Sequence, residues 1–127
     1  TVIYANMWYA RLFGCEFASS VFPPRMRSVG LGEWLFASPF SKGPEADADY
    51  LQAFAKWLAR EVGGRRGDLE QTMAECRKYR DLSDDFVSKV ADYILSTEAR
   101  IVGCTSSFLQ HTSSLALFME LNAENLE

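Results

Sequence analysis

Six hydroxyl-bearing residues crowd one stretch near the end of the sequence: Thr105, Ser106, Ser107, Thr112, Ser113 and Ser114. Ile101 and Val102 precede them as a short apolar run suited to a buried parallel strand, and Gly103 lets the chain turn closely. From Ser114 onward the spacing becomes helical, with Leu115, Phe118, Met119 and Asn122 on one side. Short hydroxyls, the Gln110 amide and free backbone N–H groups gathered between strand and helix can hold a polar ligand without themselves doing covalent chemistry. The same hydroxyls also suit a plainer role, satisfying the free N–H groups that open a helix.

The remaining reactive side chains are sparse. His111 is the only histidine, so proton transfer or axial metal ligation would fall on it, although ordinary hydrogen bonding at a helix start is the simpler role. Cys15, Cys76, Cys104 and His111 have the composition of a zinc site but lack the close local pairs such sites use. Free cysteines more often act as small buried hydrophobes. Three scattered cysteines argue against a disulfide framework and for a reducing cytoplasm. Asp81, Asp84 and Asp85 read as a solvated face with a helix cap, and no pair of carboxylates sits in an apolar context that suits acid–base work. Trp34, with Phe36 and Phe40, reads either as core or as a wall for a flat macrocycle. Glu33 beside it can pair with a helix terminus or reach a ligand edge. The sequence contains no Walker loop, GxSxG elbow, HExxH or GxGxxG.

Positioning these residues requires a scaffold, and its elements are legible as follows. Residues 1–5, β-branched and aromatic, read as a short strand. Asn6 then caps a helix over 7–17, with Tyr9, Leu12, Phe13 and Phe17 on one face, ended by Pro23-Pro24. Residues 30–40, rich in large apolar side chains between Gly and Pro, read as a packed loop or short helix. Three helices follow. The first covers 46–62, with Leu51, Phe54, Ala55, Leu58 and Val62 as its stripe, and is stopped by Gly63-Gly64. The second covers 68–80, edged by Leu69, Met73 and Cys76. The third starts at a Ser83-Asp84-Asp85 cap and carries Phe86, Val87, Val90, Tyr93 and Ile94.

A chain of 127 residues, 48% hydrophobic and 24% charged, has the composition of one ordinary folded domain rather than a disordered segment. The net charge is −4; residues 1–64 carry six charges of each sign, so the excess acid lies wholly in 65–127. No basic face emerges, which argues against a nucleic-acid partner, and no apolar run approaches a membrane span. The sequence begins inside an apparent strand and stops after a helix, so both ends read as cut from something longer. Two strands separated by some ninety mostly helical residues are too little sheet to stand alone, and left unpaired they invite self-association.

Three blocks, in order, resemble a known family. They are Val2-Ile3-Tyr4-Ala5-Asn6 with Tyr9-Ala10-Arg11-Leu12-Phe13-Gly14, then Gly32-Glu33-Trp34-Leu35-Phe36-Ala37, then the run from Ile101-Val102-Gly103-Cys104-Thr105-Ser106-Ser107 through Phe108-Leu109-Gln110-His111-Thr112-Ser113-Ser114-Leu115-Ala116-Leu117. Together they resemble the N-terminal, cobalamin-binding region of radical SAM enzymes that methylate ribosomally made peptides. The resemblance implies an α/β fold, a partial Rossmann-like (cobalamin-binding-like) domain, mostly helical with few parallel strands. Residues 1–127 would form one such domain, from its second strand to the helix after its third. It further implies cobalamin as cofactor, with Thr105, Ser106, Ser107, Gln110 and Trp34 as binding residues, and a peptide substrate. S-adenosylmethionine and a 4Fe–4S cluster would belong to a barrel outside this sequence, since the Cys-x3-Cys-x2-Cys motif is missing: the three cysteines lie 61 and 28 residues apart. The competing expectation is a non-catalytic helical scaffold or protein-interaction module, a truncated descendant whose exposed apolar surface is covered by a partner or a second copy.

Overall fold

The computed structural model describes residues 2–14, 29–62, 66–97, 99–104 and 110–124. Among them every regular element is a helix, with no strand. Helix α1 spans Ala5–Phe13, α2 spans Leu31–Leu35 and a 3₁₀ turn spans Ser38–Phe40. Helices α3 (Pro44–Val62), α4 (Arg66–Ser96) and α5 (His111–Glu124) complete the set.

This corrects the α/β, Rossmann-like expectation. Residues 2–4 and 101–104 form no ladder, and Ile101 is 91% exposed. A strand needs a partner for its N–H and C=O groups, and parallel strands need neighbours on both sides. The short segments 2–4 and 101–104 have none among the described residues. Ile3 and Val102 instead pack their side chains against the buried cluster of Val90, Ala91, Ile94 and Leu121 on α4 and α5.

Helix boundaries follow local chemistry. Asn6 lies inside α1, not before it; Tyr4 holds the cap position without a side-chain hydrogen bond. Gly14, at φ +83°, ends α1 in a conformation other residues adopt at a cost. Pro44 opens α3, where its missing N–H would have had no helical partner, and Glu45 and Asp47 favour the positive end of the helix dipole.

The two helices expected over 68–80 and from 83 onward are one, the 31-residue α4. No Gly or Pro interrupts residues 68–96. The expected cap at Ser83 is an interior position: the side chain is fully buried and its hydroxyl donates to the Tyr79 carbonyl at 2.7 Å. Bonding back to the i−4 carbonyl keeps serine compatible with a helix interior. Beside it stands the Tyr9 hydroxyl, 3.1 Å away, which ties α1 to α4.

The main core joins Tyr9, the α2 residues Leu31, Trp34 and Leu35, Phe36, Leu51, Phe54, Leu58, Cys76, Val87 and Ala116. Short α2 is thus a plug buried among the longer helices. Rings of Tyr50, Phe54 and Trp57 stack along α3, and Trp34 stacks on Tyr50 with centroids 5.1 Å apart.

Candidate functional site

A large cleft opens on the described surface. Its volume is about 1080 Å³, and it opens between α1, the upper half of α4, residues 99–104 and the start of α5. The wall is apolar, built from Ala10, Phe36, Val87, Val90, Ile94 and Leu117; the rim carries Asn6, Thr97, Gln110, Ser113 and Ser114. A smaller hollow of about 230 Å³ shares Val2, Ile3 and Tyr4 with it and is floored by Trp8, Arg11 and Tyr93.

The cleft draws on all three sequence blocks described above. The first supplies Ile3, Tyr4 and Tyr9, the second supplies Phe36, and the third supplies Val102, Gly103, Cys104 and Gln110. A direct bond joins the second and third blocks: the Thr112 N–H donates to Glu33 Oε2 at 2.9 Å. Of the two roles open to Glu33, the contact with a helix terminus is the one found.

Sequence-derived site residues divide into three groups. Gln110 lines the cleft, and its carbonyl accepts from the Ser114 N–H at 3.0 Å and from the Ser113 and Ser114 hydroxyls. Those two hydroxyls therefore serve the first helical turn, the plainer of their expected roles, while still bordering the cleft. Thr105, Ser106 and Ser107 lie outside the described residues; their neighbours Cys104 and Gln110 both border the cleft. Trp34 is core: it is 7% exposed, stacked on Tyr50 and capped on its ring face by the Arg80 guanidinium at 4.3 Å. It is not a lining residue.

His111 is exposed at the first position of α5. Among the described residues no group of three His, Cys, Asp or Glu could hold a metal; Cys15 is not among them. Cys76 is buried and Cys104 exposed. Burial pushes the Cys76 thiol up to about 11, Glu75 adding to the rise and Arg77 opposing it, so it stays a protonated core group.

Sequence reasoning missed a polar knot that joins the 3₁₀ turn, α3 and α4. Arg80, 6% exposed, donates to Asp47 Oδ1 at 2.8 Å and to Ser38 Oγ at 2.9 Å. Burial raises the Asp84 carboxyl, against the lowering effects of a Ser38 hydrogen bond and of Arg80. An arginine at helical spacing within an otherwise apolar stripe was the one available signal. The groups that join Arg80 come from positions 33 and 42 residues away, beyond the reach of local pattern.

No helix among the described residues is long and apolar enough to cross a membrane. Comparison with family models, curated proteins and solved structures finds no match to the chain.

Proposed function

We propose that the chain is the cobalamin-binding portion of a cytoplasmic radical SAM methyltransferase that modifies ribosomally made peptides. The observation that carries this reading is the convergence of three blocks, up to about a hundred residues apart in sequence, on a single cleft. Its volume of about 1080 Å³ lies at the upper end of the range for small-molecule and cofactor sites, as a large macrocycle requires. Apolar walls with a polar rim match a ligand whose ring faces are apolar and whose edge carries amides. The proposal rests on that cleft, not on a strand edge.

Bound cobalamin supplies a transferable methyl group. The chain's own part is to bind and orient it. Phe36, Val90 and Leu117 offer apolar contact and keep water from the ring faces, while Gln110, Ser113 and Ser114 offer hydrogen bonds to edge amides. Thr105, Ser106 and Ser107 are the further hydroxyls that the family resemblance assigns to the ligand. S-adenosylmethionine, the iron–sulfur cluster and most of the peptide contact belong to the barrel outside this sequence.

Mixing the purified chain with hydroxocobalamin, followed by gel filtration and a visible spectrum, tests the reading. Corrin absorbance should elute with the protein and diminish when Gln110→Ala is combined with Thr105→Val and Ser106→Val. Protein free of corrin at saturating cofactor overturns it.

A second reading has its own observation. Val2 is 76%, Tyr4 63% and Ile101 91% exposed among the residues that line the cleft, and such exposed apolar side chains beside one another suit a protein-interaction module. Under it, the same gel filtration shows concentration-dependent self-association and no bound corrin.

A further inference from the structure

We propose that Glu33 is the positioning residue of the cleft: its carboxylate latches the first turn of α5 and so sets where Gln110, Ser113 and Ser114 stand along the rim. The inference rests on reading the cleft as a ligand site.

Its first support is the platform. Leu31, Gly32, Trp34 and Leu35 of α2 are all buried, leaving Glu33 as the half-exposed residue of a plug whose neighbours are locked in the core. Trp34, the next residue, is fixed between Tyr50 and Arg80. A side chain on such a base has little freedom to follow a moving partner, so the partner is held to it.

Its second support is the contact. Glu33 Oε2 accepts from Thr112 N at 2.9 Å across 79 positions of sequence. The first N–H groups of a helix have no partner within it, and a carboxylate there meets both a free donor and the positive end of the helix dipole. The turn it grips behaves as a unit, because Gln110 O already gathers Ser114 N and the hydroxyls of Ser113 and Ser114. Holding Thr112 therefore holds the polar rim.

Its third support is the economy of the latch. Glu33 Oε1 is buried with no hydrogen-bond partner among the described residues. An acceptor left so carries a desolvation cost that a surface-solvated glutamate avoids. The side chain occupies this position although only one of its oxygens is served there.

Hydrogen exchange of the first turn of α5, measured alongside hydroxocobalamin affinity on the whole chain, tests the proposal. Glu33→Ala should speed exchange of the Thr112 and Ser114 amides, the two bonded N–H groups of this turn, about tenfold, equivalent to about 1.4 kcal/mol, leave the middle of α4 unchanged, and weaken corrin binding in step. Glu33→Gln, which keeps an accepting oxygen, should stay within about threefold of the parent in both. Should the alanine chain unfold, Glu33→Asp reads the same loss, since it keeps the charge one methylene short of Thr112. Unchanged exchange in the alanine or aspartate variant overturns the latch, as does a glutamine variant no better than alanine. Faster exchange with unchanged corrin affinity overturns the positioning role. Exchange that follows expectation in a parent chain that binds no corrin upholds the latch and overturns the cobalamin reading instead.

Discussion

Tyr9 illustrates how much of one residue's behaviour lies outside its local sequence. Its place on the inner face of α1 follows from helical spacing, but the partner of its hydroxyl, Ser83, stands 74 residues away. Burial pushes the Tyr9 phenol from 10.0 up to about 12, while the Ser83 hydrogen bond pulls it down and Tyr79 adds a smaller rise. Cys76 is raised from 9.0 to about 11, again mainly by burial. In both cases the folded chain keeps a proton that the unfolded chain has already released. The stability linked to these groups is whole below about pH 9 and is lost as pH rises through 9 to 12. Urea midpoints should thus hold level near neutrality and fall steeply above about pH 9. Tyr9→Phe should flatten the upper part of that fall.

At the scale of elements, the Arg80 knot decides how the 3₁₀ turn, α3 and α4 meet. The guanidinium is almost fully buried, with Asp47 as its charge partner and Trp34 against its face. Asp47 also accepts from Ser41 Oγ at 3.1 Å, which fastens the turn ahead of α3. Removing the carboxylate strands a buried cation, so Asp47→Ala should cost about 3 kcal/mol in denaturant unfolding. Arg80→Met removes the charge that needs pairing and should cost less. An Asp47→Ala loss no larger than that of Arg80→Met would show that the ion pair does not organise this junction. The buried stripes were legible, though α4 read as two helices: Leu51, Phe54 and Leu58 on α3 and Cys76, Val87, Val90 and Ile94 on α4 are all buried as their spacing requires. On α5 the stripe misleads. Leu115 and Met119 are 41% and 45% exposed, whereas Ala116 and Leu121 are buried. Small Ala116 permits close approach to the core, a preference that ranking by hydrophobicity does not reveal.

For the whole molecule, the decisive departure is the absence of strands among the described residues. Its consequence is measurable at Ile101. In a buried parallel strand, Ile101→Asp would cost several kcal/mol; at a position 91% exposed, the change should stay within about 0.5 kcal/mol. A large loss at Ile101 would restore the strand. The same arrangement frees residues 101–104 to border the cleft instead of filling a sheet, which is how the third sequence block comes to face the first.

By itself, the sequence determined that most of the chain is helical and which residues of α3 and α4 are buried; the expected stops at Pro23-Pro24 and Gly63-Gly64 lie outside the described residues. Helical hydrogen bonds close within four residues, so the information for them is local. Tertiary structure alone decided that the short segments at 2–4 and 101–104 would not become strands, that Ser83 would lie inside a helix, that Trp34 would be core, and that Glu33 would reach Thr112. Tyr9 meets Ser83, Arg80 covers Trp34 and Glu33 reaches Thr112 across 46 to 79 positions, and only packing brings such partners together.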